Sequence, residues 1–178
     1  MAEALVDERT TFRPSDNRGD WLGYGIYFFE NAPLRAHRWA RTWACRGGEE
    51  PAVVEAEIDL TDCLDLLDIG AYEALRTRYP DLDTATTPNQ TPLLVSNGYA
   101  PLPPSSQPIR NFMDRALIDF TVELLRELDD PMEIRSVRGA FLWGRAVFPE
   151  SFVFNRSHVQ IAVRDPKMIS KPKLVTIP

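Results

Sequence analysis

Asp20-Trp-Leu-Gly-Tyr-Gly-Ile-Tyr-Phe-Phe-Glu30 is the stretch on which the fold of this chain turns. Gly23 and Gly25 remove the Cβ atoms that would hold a ligand away from the backbone, and Ile26 to Phe29 are strongly strand-forming. Alternation places Gly25, Tyr27 and Phe29 on one face of that strand and Ile26 and Phe28 on the other. Tyr27 then stands beside a position with no side chain, an aromatic wall with an opening next to it. The same residues also describe a plain buried aromatic strand after a glycine turn, so the neighbouring sequence has to decide.

With 178 residues, 44% of them hydrophobic, residues 1–178 suffice for a single domain with a sizeable core. No apolar run approaches the roughly eighteen residues of a membrane span. The first ten residues carry Glu3, Asp7 and Glu8 and lack both segments of a secretory signal, so a cytoplasmic protein with no membrane partner is expected. Cys45 and Cys63 are far from any Cys-x-x-Cys spacing, and His37 and His158 do not complete a cluster with them, so neither a disulfide framework nor a metal site is indicated. The net charge of −6 disfavours a broad nucleic-acid surface and leaves room for a local basic groove.

Upstream of the opening stretch, residues 2–9 fit a short helix, and Phe12 to Gly19 form a polar connector. Downstream, Asn31 or Ala32 caps a helix that Pro33 opens and that runs to about Cys45. Its Ala36, Trp39, Ala40, Trp43 and Ala44 form one apolar stripe, which makes both tryptophans core candidates. Val53 to Leu60 alternates as a half-buried strand, with Val54, Ala56, Ile58 and Leu60 inward and Glu55, Glu57 and Asp59 in solvent. Ala71 to Tyr79 reads as a helix, and residues 83–110, rich in Thr, Pro and Ser, read as a long mobile loop or lid, or a passive insertion. Asn111 and Asp114 resemble a capping box for a helix to about Leu128, with Met113, Ala116, Leu117, Phe120, Leu124 and Leu128 facing the core. Glu133 to Phe141 is a strand containing Ser136-Val-Arg-Gly139, and Phe148 to Asn155 is an aromatic loop or strand. Along Ser157 to Asp165, Val159, Ile161 and Val163 alternate with His158, Gln160 and Ala162, so two polar side chains share one face. Lys173 to Ile177 adds an edge strand.

In this order the blocks resemble the diphtheria-toxin-like ADP-ribosyltransferases, which include the poly(ADP-ribose) polymerases. Gly23 to Phe28 matches that family's Gly-x-Gly-Ile-Tyr-Phe strand, Ser136 to Gly139 its Ser-Val-x-Gly, and Gln160-Ile-Ala-Val-Arg-Asp165 its closing strand with Gln in place of Glu. The resemblance implies an α+β fold, a split pair of small twisted, mostly antiparallel sheets with flanking helices, and NAD held between them without a metal. Gly23 and Gly25 would admit the dinucleotide, Tyr27 would stack on nicotinamide, and Trp39 would close the other side. Ser136 and His158 would join the NAD-binding set, and Gln160 would bond the ribose hydroxyl. Nicotinamide leaves as a neutral ring through an oxocarbenium-like transition state, so orienting NAD matters more than protonating the leaving group. A neutral amide in place of the carboxylate points to transfer of one ADP-ribose rather than a polymer. The resemblance places acceptor recognition at Phe148 to Arg156 and leaves open whether the acceptor is protein, nucleic acid, small molecule or water, and whether the role is toxin, defence or housekeeping. The family's His-Gly pair is absent, so an in-frame strand carrying it is expected before Met1. His37 lies in the wrong element to replace it. Without that pair, a non-catalytic module that binds NAD or a protein partner is the alternative.

Overall fold

The computed structural model describes residues 2–17, 19–47, 50–86, 112–129 and 131–176. The chain is a mixed α+β protein with two small sheets. The larger sheet has the order β1 (Ile26–Phe29), β5 (His158–Val163), β4 (Ser136–Phe141), β3 (Cys63–Asp65), with β3 parallel to β4 and the other pairs antiparallel. β2 (Val53–Ile58) and β6 (Ile169–Val175) form a separate antiparallel pair. The central strand β5 pairs on both sides, Tyr27 and Val137 both facing Ala162 in register, and is buried over Ile161, Ala162 and Val163.

Alternation along β1 and β5 divides the core in two. Ile26, Ile161 and Val163 pack on Met168, Ile58 and Ile169, joining one face of the large sheet to the small one. Tyr27, Ala162 and Val137 face the other way, toward Leu22 and the helices α3 (Ile69–Thr86) and α4 (Phe112–Arg126). The side chains buried from α4 are Ile118, Thr121 and Val122, whereas the expected Ala116, Leu117, Phe120 and Leu124 are half-buried and Leu128 is exposed. The helix is turned because Asp119 is drawn to the glycine turn before β1. Its Oδ1 accepts Tyr24 N–H at 3.3 Å and Arg164 Nη2 at 2.8 Å, which brings neighbouring Ile118 and Val122 onto the sheet. Met113's side chain lies outside the described residues.

α1 (Ala2–Val6) lies against β6 and β2. α2 (Pro33–Gly47) leans on β1 and β2, yet Trp39 and Trp43 are 49% and 52% exposed rather than core. β1 is an edge strand, and α2 lies beside it with Trp39 against Phe29 and Trp43 against Trp39. On β2, Glu55 and Glu57 are exposed and pair with Lys173 and Lys171, while Leu60, beyond the strand end, is exposed instead of inward. α3 extends through Pro80 to Thr86, so residues 83–86 are helical and not part of a loop, and the rest of the expected lid lies outside the described residues. β6 begins at Ile169, earlier than expected, and the stretch 148–155 is a loop held by one bridge between Ala146 and Phe154. Among the described residues no helix is long and apolar enough to cross a membrane.

Candidate functional site

The sequence blocks singled out around Tyr27, Ser136 and Gln160 become neighbouring strands, β1, β4 and β5. Phe29 and Gly139 flank Gln160 in register, and Phe141 flanks His158, so the end of the sheet away from the glycine turn presents Gln160 among aromatic rings. His158 stands between Phe29 and Phe141, with ring centroids 4.9 and 5.4 Å away. The Trp21 ring is 5.4 Å from that of Phe141, and its indole N–H donates to Gln160 Oε1 at 2.6 Å. A Cβ on Gly139 would lie 2.7 Å from the Trp21 ring, so only glycine lets the indole lie against β4. This is the physical reason for glycine in the Ser-Val-Arg-Gly block.

Tyr27 shares the Gln160 face but is not an open stacking wall. Its ring packs on the core cluster, its hydroxyl donates to Gly23 O at 2.8 Å, and it accepts Leu22 N–H at 3.1 Å. Burial, reinforced by Asp20, pushes the phenol well above its ordinary value. Tyr27 therefore clamps the turn that carries Trp21 over Gln160. The opening expected at Gly25 is filled, because a Cβ there would sit 3.0 Å from Val163 O of the adjacent strand. Gly23 has φ +83°, and a Cβ there would meet Asp119, so both glycines serve close packing of the chain on itself. Ser136 is fully buried on the opposite face of β4, beside Cys63, and is not brought to Gln160. Trp39 meets Phe29 at 6.3 Å and Trp43 at 5.7 Å rather than standing opposite Tyr27. Trp21, Phe29 and Phe141 were missed as site residues from the sequence, although Trp21 lies within the opening stretch and Phe29 and Phe141 share the faces of Tyr27 and Gly139.

Two charge networks frame this arrangement. Arg138 binds Glu30 through two nitrogens at 2.7 and 3.1 Å and Asp65 at 2.9 Å, tying the end of β1 to β3 across the sheet. The Glu30 hydrogen bonds lead in raising its guanidinium far above the ordinary value. At the other end, Asp119 joins Arg164 and Arg115, and Arg115 reaches Asp16 and the carbonyl of Asn17. Near Gln160 the balance is different. Arg35 lies 5.5 Å over the Phe29 ring, and burial, with the charges of Arg156 and Arg38, pulls it below its ordinary value.

His158 Nδ1 donates to Arg156 O at 2.6 Å, while Nε2 is buried without a partner. Burial holds this imidazole below its ordinary 6.5, opposed by the Arg156 carbonyl and helped by the charge of Arg35. The fold thus favours neutral His158. Its contribution to stability is complete above the unfolded value, about pH 6.5, and is lost as pH falls through the lower folded value. The expected result is that His158→Phe flattens the fall in the urea midpoint between pH 7 and pH 5; an unchanged slope would show that His158 does not couple to folding.

Comparison with models of known protein families, with curated proteins and with solved structures finds no match to this chain.

Proposed function

We propose that this chain is a mono-ADP-ribosyltransferase-like protein that binds NAD at the Gln160 end of the large sheet, cleaves its bond to nicotinamide and passes ADP-ribose to an acceptor or to water. The observation that supports this reading is the convergence of the three family-like blocks on adjacent strands, with the Gln160 amide among Trp21, Phe141 and His158. Because the leaving nicotinamide is neutral, the chemistry asks for a flat apolar surface and a hydrogen bond to the ribose rather than for a strong acid. The aromatic rings supply the first. Gln160 supplies the second, and with Oε1 turned to the indole its amide N–H groups are left to donate. In this reading the fold is that of the ADP-ribosyltransferases, with the two sheets as its split halves.

One observation favours a second reading. The Tyr27 hydroxyl and the Gln160 carbonyl are both engaged by the chain itself, as they would be in a module that binds NAD, or a protein, without cleaving anything. Nicotinamide release from NAD by wild type, Gln160→Ala and Gln160→Glu separates the two. An enzyme should lose roughly ten- to a hundredfold with Gln160→Ala, the worth of one hydrogen bond of about 1–3 kcal/mol, and keep or gain rate with Gln160→Glu. Calorimetric binding of NAD with no release supports the second reading, and neither binding nor release at millimolar NAD removes the enzyme and the NAD-binding module, leaving only a protein-binding one.

A further inference from the structure

We propose that the exposed flank of α2 bearing Arg35, Arg38, Trp39 and Trp43, together with Arg156 from the connection between β4 and β5, binds single-stranded nucleic acid. The protein carries a net charge of −6, yet the sequence of α2 contains no acidic residue. Several other arginines of the fold are neutralised locally, as Arg115, Arg135, Arg138 and Arg164 are by their carboxylates. Among the described residues no carboxylate pairs with Arg35, Arg38 or Arg156, and the charges of Arg156 and Arg38 both bear on Arg35. Such a cluster in an acidic protein is complementary to a row of phosphates. Arg35 adds a buried Nε with no partner, on a guanidinium that already covers the Phe29 ring.

The tryptophans narrow the partner. Trp39 and Trp43 are each about half exposed, with rings 5.7 Å apart and inclined at 60°. A phosphate backbone alone gives indole rings no counterpart, and a duplex hides its base faces in the stack. A single strand offers both charge along one edge and flat faces along the other, which suits interleaved arginine and tryptophan. An acidic protein surface supplies the charge without the flat faces, so it is the outcome against which the proposal is tested. The proposal stands apart from the NAD reading, since binding is measured without NAD.

The experiment is fluorescence anisotropy of the full chain with a labelled thymidine strand of about ten nucleotides, an abasic strand of the same length, and labelled poly-glutamate. Three phosphate contacts on a single strand give an expected slope of about −2 for log K against log salt between about 50 and 200 mM. Arg38→Gln and Arg156→Gln should each lower that slope by about 0.7. Trp39→Ala should weaken the thymidine strand roughly ten- to a hundredfold while changing the abasic strand little, and Trp39→Phe should restore most of the loss. No binding at about 50 mM salt overturns the proposal. So does equal binding of poly-glutamate, or a Trp39→Ala variant that binds both strands as wild type does.

Discussion

Leu22→Ala is expected to lower the unfolding free energy by about 2–5 kcal/mol, seen as a fall in the urea midpoint with an unchanged m value. Leu22 is fully buried, packed with Ile118 and Val122 of α4 and with Val137 and Ala162 of the sheet, and its backbone N–H bonds the Tyr27 hydroxyl. The loss has two parts, the transfer free energy of the deleted methyl groups and the cavity that a rigid surround cannot close. On a total of about 5–15 kcal/mol this is a large fraction. Leu22→Met, which conserves volume, should cost less than about 1.5 kcal/mol. If Leu22→Ala costs no more than Leu22→Met, the turn is not an integral part of the core.

Arg138→Met is the second large effect, at about 2–3 kcal/mol. Removing one partner from a fully buried ion pair costs about 3–5 kcal/mol. Here the Arg138, Glu30 and Asp65 side chains are 21%, 25% and 36% exposed, so solvent screens part of that. Two carboxylates would be left facing each other across β4 and β5 with no cation between them. Arg138→Lys should recover little, because an ammonium cannot reproduce the two-nitrogen contact with Glu30 while also reaching Asp65. Combining Arg138→Met with Glu30→Gln should restore stability relative to Arg138→Met alone, and equilibrium urea unfolding of wild type, Arg138→Met, Glu30→Gln and the double variant measures the coupling. Simple additivity would mean that the network contributes no mutual stabilisation.

The strands that carry the candidate site were the most legible part of the sequence. In β5 the polar His158 and Gln160 alternate with Val159 and Ile161, and in β1 four strand-forming residues follow the glycines, so the period of two determines which face each side chain takes. The helices were harder. α4 carries apolar residues on most of its circumference, and periodicity does not choose among them. The choice is made by Asp119, a polar residue whose partners Tyr24 and Arg164 are remote in sequence. The α2 stripe was visible as a pattern, but which flank is covered depends on β1 being an edge strand, a property of sheet order. β3, three residues long and parallel to β4, gives no local signal at all. At the site, Gln160 and His158 were legible from alternation. The Trp21 hydrogen bond to Gln160 was not, because it spans 139 positions and depends on the absence of a side chain at Gly139.

All four tryptophans stand at one end of the molecule, Trp21 and Trp143 against Phe141 and Trp39 and Trp43 beside Phe29. The chain therefore carries a tryptophan reporter of that end alone, and emission excited selectively from tryptophan is blind to changes confined to α1, β6 or the far half of α3. Far-ultraviolet dichroism weights the helices instead. Coincident unfolding curves from the two signals would mean that the aromatic end melts with the rest of the domain, whereas an earlier fluorescence transition would mark it as a separate cooperative unit.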